Sequence, residues 1–280
     1  MSGNFRLSSD EFRIVICVRK SQGTRGNFAM FTIESAGATD RGRRRRDNQD
    51  RFYAGGNLFA VADGVGGHPG GDIAAQTAID VLWSLSRQEQ NFDLARAVRI
   101  ANIEINTMGR DDPDLRTLAT TITAIQIING ELHTRVRIAN IGDSRLYLVR
   151  EGAVTQLTRD DTVTRVLQTS CGRRPTRILT RALGLEPTVD VQISNMRLLE
   201  NDRLLLCTDG ISNELSATEI RHLTSDAAAP REVADRLVWA ALAAGGRDNA
   251  TVVVIDVTAQ DPAQRRGDNA GPSRRRLLAA

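Results

Sequence analysis

The stretch TTITAIQIINGELHTRVRIANIGDSRLYLVREGAVTQLT, residues 120–158, decides the fold class of this 280-residue chain. Apolar and polar residues alternate over long parts of it, which is typical of half-buried β-strands. Asn129-Gly130 is a strong hairpin-turn signal, and Glu151-Gly152 is a plausible second one. The stretch therefore predicts three antiparallel strands in succession.

Outside this stretch, helical and strand patterns follow each other in groups. The runs RLLLCTDG (residues 203–210) and NATVVVIDV (residues 249–257) predict further strands. Helical periodicity predicts helices over about 72–90, 92–108, 216–223 and 230–244. Helices in pairs and strands in hairpins favour an α+β fold with antiparallel sheet over an alternating βαβ chain.

Composition excludes several classes of protein. The chain is 41% hydrophobic and 25% charged, which is ordinary for a globular protein, and no apolar run is long enough for a membrane span. Its three cysteines (Cys17, Cys171 and Cys207) show no paired spacing, which favours a reducing, cytoplasmic compartment. The net charge of +3 comes mostly from arginines near the two ends, with few aromatics for base stacking. We therefore expect neither a nucleic-acid nor a membrane partner.

Acidic residues stand at the ends of apolar runs. Asp63 ends the strand in LFAVADGVGGHPGGD (residues 58–72), Asp209 follows LLLCT, and Asp143 follows VRIANIG. Asp248 precedes NATVVVIDV, and Asp50 closes RDNQD. A single Asp-Gly pair is most often a turn. Several carboxylates gathered together repel one another, however, and a hard divalent cation with oxygen ligands neutralises them.

Six segments in this order resemble the metal-dependent Ser/Thr protein phosphatases of the 2C type, in their bacterial branch. They are TDRGRRRRDNQDRF, VADGVGGHPGGD, TTITA, IGDSRLYLVREG, LLLCTDGIS and RDNATVVVIDV, and they cover roughly residues 33–257. The resemblance implies a central sandwich of two antiparallel β-sheets flanked by pairs of helices. It also implies a site for two Mn²⁺ or Mg²⁺ ions at one edge of the sandwich.

The resemblance implies metal-site roles motif by motif. Asp63 would bridge both metals, and Gly64 would offer its backbone carbonyl to one of them. Asp209 and Asp248 would hold the other metal. Asp50 would hold a water bound to the metals.

It also implies roles around the substrate. Arg45 would grip the phosphate, although its neighbours leave the register uncertain by one position, and Arg46 is a further substrate-binding candidate. A solvated charge run is the plainer interpretation. A mobile flap over residues 158–184 looks short and carries Arg173, Arg174 and Arg177, which would favour acidic or multiply phosphorylated substrates. A possible weak third metal would involve Asp143 and Asn213, where Asn213 replaces an Asp of some members. Gln49 replaces a Glu of many relatives, and the role of His68 stays open.

The implied function is hydrolysis of phosphoserine and phosphothreonine in proteins by a metal-activated water, opposing bacterial Ser/Thr kinases. Phosphorylated proteins, kinases and kinase substrates are the expected partners. Three alternatives remain: a regulatory phosphopeptide-binding module on the same fold, a phosphatase specialised for one partner, and a nucleic-acid-binding protein. A catalytically inactive member usually loses one of the acids matching Asp63, Asp209 and Asp248, and all three are present.

The two ends match no part of the family pattern. We expect residues 1–29 to be a flexible arm, with Met30 as a second possible translation start. The alternative is that FRIVICV (residues 12–18), rich in β-branched residues, adds an edge strand. We expect the catalytic domain over residues 30–258 and a disordered basic tail over 259–280.

Overall fold

Strands dominate the described part of the chain, as the alternating pattern predicts. The computed structural model describes residues 11–19, 28–65, 70–89, 91–129, 133–169 and 172–259. Within these ranges the strands are β1 (Glu11–Arg19), β2 (Phe28–Asp40), β3 (Asp50–Gly55), β4 (Leu58–Asp63), β5 (Ile122–Asn129), β6 (Thr134–Ile141), β7 (Arg145–Arg150), β8 (Ala153–Gln156), β9 (Thr162–Thr169), β10 (Gly172–Leu179), β11 (Gln192–Arg197), β12 (Arg203–Cys207) and β13 (Ala250–Ala259).

The helices of the described residues are α1 (Gly71–Gln88), α2 (Leu94–Asp111), α3 (Asp209–Ser212), α4 (Ala217–Thr224) and α5 (Pro230–Ala244), with a 3₁₀ turn at Pro113–Leu115. Four of these five helices lie close to their predicted positions, and the short α3 was not predicted. Local chemistry explains their starts, since the Asp93 side chain caps α2 and Ser216 and Glu219 form a capping box at α4. No helix among the described residues combines the length and apolar character that crossing a bilayer requires.

The described strands form two antiparallel sheets and a separate hairpin. One sheet has the order β1-β2-β13-β12-β7-β8, and the other has the order β11-β6-β5-β4-β3. Helices α1 and α2 pack against the second sheet, and α5 packs against β2 and β13 of the first. This arrangement confirms the predicted α+β sandwich with helices on both outer faces.

Strand β4 shows why the core has layers. Its first five residues are buried, because the strand is covered on both faces. Leu58 and Ala60 pack with residues of α1 and α2, whereas Phe59 and Val61 pack with residues of the opposite sheet such as Leu206. Alternate residues of a strand point to opposite faces, so one apolar run serves both layers.

Residues 120–158 were predicted to form three antiparallel strands in succession, and the structure differs from this prediction in the middle of the stretch. Strands β5 and β6 form the expected hairpin, but β6 and β7 belong to different sheets. The chain changes sheet at Gly142, whose φ of 106° is left-handed. A Cβ there would lie 2.6 Å from the Cγ2 of Thr121, so only glycine fits. Gly142, Asp143 and Ser144 interrupt the alternation at the crossing, a signal that the strand prediction did not use.

The expectation of a flexible arm needs correction over residues 11–19. Strand β1 pairs antiparallel with β2 along its whole length, from Glu11 opposite Ala36 to Arg19 opposite Phe28. The segment is rich in β-branched residues, which favour an edge strand, and this was the alternative interpretation. Residues 1–10 and 20–27 lie outside the described residues, as do 260–280 of the expected tail, so the proposed domain boundaries stay predictions.

Candidate metal centre

Four acids meet at one edge of the sandwich because of how the strands pair. Asp50, the first residue of β3, lies directly opposite Asp63, the last residue of β4. In the other sheet β12 runs antiparallel to β13, so Asp209 just after β12 lies near Asp248 just before β13. The Asp209 carboxylate lies close enough to Asp63 to help raise the pKa of that carboxyl. The two sheets therefore bring together acids that are up to 198 positions apart in the sequence.

Gly64 lets the end of β4 pack tightly on the start of α1. A Cβ at this position would lie 2.4 Å from the backbone carbon and oxygen of Gly71. The hydrogen bonds that join this segment to Ala119 and Thr121 are made by Val65 and Asp63. The peptide groups of Gly64 itself therefore face the other side, where its N–H donates to the carbonyl of Gln49 at 3.3 Å.

Asp50 is held by threonines of the opposite sheet. Its side chain is buried, with the residue 2% exposed. The hydroxyl of Thr208 donates to Asp50 Oδ2 at 2.8 Å, and Thr251 donates its backbone N–H to the same hydroxyl oxygen at 3.1 Å. Thr208 is the residue between β12 and Asp209, so one side chain ties Asp50 to the segment that carries Asp209.

Asp63 and Asp209 are also fixed by neighbours. The backbone carbonyl of Asp63 accepts hydrogen bonds from the Thr121 N–H at 2.9 Å and the Thr120 hydroxyl at 2.8 Å. Asp209 is the first residue of α3, and its Oδ2 accepts from the Asn213 amide at 3.0 Å. These contacts fix the backbone at Asp63 and one carboxylate oxygen of Asp209.

Burial and mutual repulsion raise the pKa values of Asp50, Asp63 and Asp209. Burial is the largest cause for each, and it raises the pKa of Asp50 to about 6 and that of Asp209 to about 7. The pKa of Asp63 lies well above its usual range, first because of burial and then because of the neighbouring carboxylates Asp50, Asp209 and Asp248. The cluster therefore favours a proton or a cation among its oxygens.

The donor set fits divalent cations such as Mn²⁺ or Mg²⁺. Asp50 Oδ1 and Asp209 Oδ1 are buried and receive no hydrogen bond from the described residues, although buried polar atoms are normally paired. All available ligands are oxygens, which hard divalent ions prefer. Among the described residues, no group of three or more Asp, Glu, His or Cys side chains is already arranged to hold a metal ion. One of the acids, Asp248, is instead bonded to Arg45.

The predicted phosphate-binding arginine lies at the site. Arg45 Nη2 donates to Asp248 Oδ2 at 2.5 Å, and nearby Asp63 and Asp209 also help to raise the pKa of its guanidinium. Arg46 is exposed, and its backbone carbonyl accepts from Arg41 Nη1 at 3.0 Å. The structure thus brings Arg45 to the acids and leaves Arg46 on the surrounding surface.

Other predicted residues lie at the margin or outside the described part. Asp143 follows β6, and burial raises its pKa. Asn213 bonds Asp209 directly. Arg173 and Arg174 lie on β10, but their side chains lie outside the described residues, as does His68. The segment expected to be a flap, residues 158–184, contains the antiparallel hairpin β9–β10.

Sequence reasoning missed Asn249, the residue that holds the arginine-rich loop of residues 41–49 in place. The Asn249 amide donates to the carbonyls of Arg41 at 2.7 Å and Asp47 at 2.9 Å, and its Oδ1 accepts from the Gln49 N–H at 2.9 Å. This side chain therefore anchors residues 41–49 beside Asp248. The only available signal was its place in the RDN motif, where a polar residue precedes a buried strand.

The fold and the acid cluster define an α+β protein of two packed sheets with helices on both outer faces and a divalent-cation site at one edge. A family model described as Protein phosphatase 2C matches residues 38–242. The chain therefore belongs to the protein phosphatase 2C family.

Named relatives agree with this family. The chain is 38% identical over 250 residues to serine/threonine protein phosphatase PstP of Mycobacterium tuberculosis, which covers 84% of this chain and 47% of PstP. It thus spans about half the length of PstP. Identity to serine/threonine phosphatase stp of Listeria monocytogenes is 32% over 239 residues, covering 78% of this chain and 93% of that protein.

Solved structures agree as well. The crystal structure of the PstP catalytic domain in complex with two manganese ions superposes with a TM-score of 0.70 at 36% identity, covering 81% of this chain and 99% of that one. The phosphatase MsPP from Mycobacterium smegmatis, in complex with cacodylate, gives a TM-score of 0.67 at 34% identity, covering 79% and 97%.

Proposed function

We propose that this protein hydrolyses phosphoserine and phosphothreonine in proteins with the help of two divalent cations. The observation that carries the proposal is the meeting of Asp63, Asp209 and Asp248 at one edge of the sandwich, with a buried Asp209 oxygen that receives no hydrogen bond from the described residues. An oxygen-only cluster of this kind suits Mn²⁺ or Mg²⁺. Relatives named as serine/threonine phosphatases support the same reaction.

Each residue has a distinct proposed part in the reaction. Asp63, the backbone of Gly64, Asp209 and Asp248 would hold the two cations. Such a pair of cations supplies a nucleophilic water at neutral pH and compensates negative charge on the phosphoryl group. Asp50 would accept a hydrogen bond from that water through Oδ1, the oxygen that Thr208 leaves free.

Arg45 would serve two partners in turn. Its guanidinium bonds Asp248 and is 41% exposed, so it can reach a phosphate at the mouth of the site. The two N–H groups of an arginine guanidinium match two phosphate oxygens. If the Arg45 guanidinium moved from Asp248 to a phosphate, the Asp248 carboxylate would be free to bind a cation. Arg45 is therefore proposed as the residue that binds the substrate phosphate as the cations take Asp248.

The surroundings suggest a preference among phosphoproteins. Residues 43–46 are four exposed arginines, of which Arg45 contacts the acid Asp248. Together with Arg173 and Arg174 of β10, they would attract acidic or multiply phosphorylated segments. Ser/Thr kinases and their substrates in the cytoplasm are the partners that we propose.

Hydrolysis of a phosphothreonine peptide tests the proposal. We expect turnover with Mn²⁺ or Mg²⁺, none with a chelator, and recovery when metal is restored. Asp63→Asn should abolish turnover, because it weakens both cation positions. The control is Asp190→Asn, which changes a carboxylate that is 94% exposed and should leave turnover unchanged. Full turnover in chelator, or equal effects of the two variants, would contradict the metal-dependent mechanism. Tight phosphopeptide binding without turnover would instead favour a regulatory module.

A further inference from the structure

Asn213 hydrogen-bonds the candidate cation ligand Asp209 from one side only. It is the residue that follows α3, four positions after Asp209, and its Nδ2 donates to Asp209 Oδ2 at 3.0 Å. The other carboxylate oxygen, Oδ1, is buried and receives no hydrogen bond from the described residues. The Asn213 contact therefore fixes which oxygen of Asp209 stays free for a cation.

Arg177 determines which way the Asn213 amide faces. Its Nη1 donates to Asn213 Oδ1 at 3.3 Å. A guanidinium can only donate hydrogen bonds, so it requires the amide oxygen on its own side. The amide nitrogen then points to Asp209. If the amide turned over, its oxygen would face a carboxylate and its nitrogen would face a guanidinium, and both contacts would be repulsive.

Arg177 itself belongs to the hairpin β9–β10 and is anchored at the site margin. Its Nη2 donates to Asp160 Oδ2 and, at 3.4 Å, to Thr162 Oγ1. Asp160 is fixed in turn by Arg145, whose Nη2 lies 2.7 Å from Asp160 Oδ2. The hairpin is therefore connected to the cation ligand by an unbroken sequence of polar contacts from Asp160 to Asp209.

We propose that Arg177 and Asn213 form a positioning relay that couples docking of the hairpin β9–β10 to the orientation of the Asp209 carboxylate. The same contacts hold the hairpin at one end and orient the Asp209 carboxylate at the other. A cation at Asp209 therefore stabilises the docked hairpin, and the docked hairpin strengthens cation binding by an equal factor. The proposal uses the cation site of the proposed function but does not depend on phosphatase turnover.

The relay also gives Asn213 a different part from the one predicted. The sequence suggested that Asn213 and Asp143 weakly hold a third cation. The Asn213 amide is instead bonded at both ends, to Arg177 and to Asp209. The Arg177 guanidinium also acts on Asp143, where its positive charge opposes the effect of burial on the pKa of that carboxyl. The relay thus supplies a fixed positive charge beside Asp143.

Mn²⁺ titration by calorimetry measures one side of the coupling. The test variant is Arg177→Met, which keeps the length of the side chain and removes its donors. The matched control is Arg165→Met, because Arg165 is an exposed arginine of the same hairpin for which the described residues offer no ion pair. We expect Arg177→Met to weaken Mn²⁺ binding about tenfold, the effect of removing a partner that orients a ligand. Arg165→Met should bind Mn²⁺ like the unchanged protein.

Hydrogen exchange measures the other side. We expect Mn²⁺ to slow amide exchange in β9 and β10 of the unchanged protein and of Arg165→Met, but not of Arg177→Met. Amides of β5 report whether each variant keeps its core. Asn213→Leu should reproduce Arg177→Met, and the double variant should bind Mn²⁺ no more weakly than either single one, because both remove one relay. Arg177→Lys, which keeps a donor, should recover part of the affinity.

Two results would overturn the relay. The first is an Mn²⁺ affinity of Arg177→Met equal to that of Arg165→Met. The second is an amide exchange rate in the hairpin of the unchanged protein that is the same with and without Mn²⁺. These outcomes are separate from a failure of the proposed function. A protein that binds Mn²⁺ with coupled hairpin exchange but hydrolyses no phosphopeptide retains the relay and loses the phosphatase proposal, and the reverse combination retains only the phosphatase proposal.

Discussion

Replacing Thr208 by valine removes one hydroxyl that supports both sheets at the metal centre. Thr208 is fully buried, and its hydroxyl donates to Asp50 Oδ2 at 2.8 Å. The same oxygen accepts the Thr251 N–H at 3.1 Å. Valine has nearly the same shape, so the substitution removes these hydrogen bonds while it changes packing little. We therefore expect the effect to come from unpaired polar groups.

The size of the loss follows from the two contacts. A hydrogen bond to a charged carboxylate contributes about 2 kcal/mol, and an unpaired buried N–H costs at least about 1 kcal/mol. Thr208→Val should therefore lower the free energy of unfolding by about 3 kcal/mol at pH 8, where Asp50 is charged. For a protein of this size that corresponds to a fall in Tm of about 6 to 12 °C.

The loss should be smaller at low pH. Burial raises the pKa of Asp50 from 3.8 to about 6, so the protonated form is the one favoured by folding. The stability from this group is complete below pH 3.8 and is lost as the pH rises through about 6. Near pH 5 Asp50 is mostly protonated and needs the Thr208 donor less, so we expect a loss of about 2 kcal/mol there. Removing the donor also raises the pKa of Asp50 further, which should move the acid limb of the kcat/KM profile to higher pH.

Guanidinium unfolding in chelator at pH 5 and pH 8 measures these differences. The control is Thr155→Val, an exposed threonine of β8 whose hydroxyl makes no hydrogen bond to the described residues. It should change stability by less than about 0.5 kcal/mol. If Thr208→Val matches Thr155→Val, or if its loss is the same at both pH values, Asp50 does not depend on this hydroxyl and the reasoning is refuted.

Three further predictions concern other parts of the molecule. Arg45→Ala should raise KM for a phosphopeptide and leave Mn²⁺ affinity equal or slightly higher, because Asp248 loses a competing partner. Steady-state kinetics measure KM, and calorimetry measures Mn²⁺ affinity. A larger effect of Arg46→Ala on KM would mean that Arg46, rather than Arg45, binds the phosphate. The Cys207 thiol, whose pKa burial raises to about 12, should be alkylated at pH 8 at least about 10³-fold more slowly in the native than in the unfolded protein, as followed by peptide mass spectrometry. Deleting residues 1–27 removes β1 and should lower Tm by several degrees, because it exposes the edge of β2; an unchanged Tm in a thermal melt would restore the flexible-arm interpretation.

Much of the site could be predicted from local sequence. An apolar run followed directly by an acid locates the end of a buried strand, so Asp63 and Asp209 were found from pattern alone, and their gathering was inferred from chemistry. Arg45 was placed by resemblance rather than by pattern, since four consecutive arginines look alike in sequence. Its contact with Asp248 selects it among them, and this contact depends on the loop anchored by Asn249.

The fold class was equally visible in sequence, but the assignment of strands to sheets was not. Alternation of apolar and polar residues shows that β6 and β7 are strands, because each buries one face or both. It carries no information about which sheet a strand joins, since both sheets present the same apolar interior. The left-handed backbone at Gly142 and its contact with Thr121 decide the crossing.

The amino-acid sequence alone predicted most of the strands and helices, though not β1, β9, β10, β11 or α3, together with the acids at the strand ends and the family. These depend on periodicity and on short motifs, which act within a few residues. Only the tertiary structure decided that Thr208 supports Asp50, that Arg45 holds Asp248 and that Asn213 joins the hairpin to Asp209. Such contacts join side chains from strands and loops far apart in the chain, and their geometry exists only once the two sheets have packed face to face.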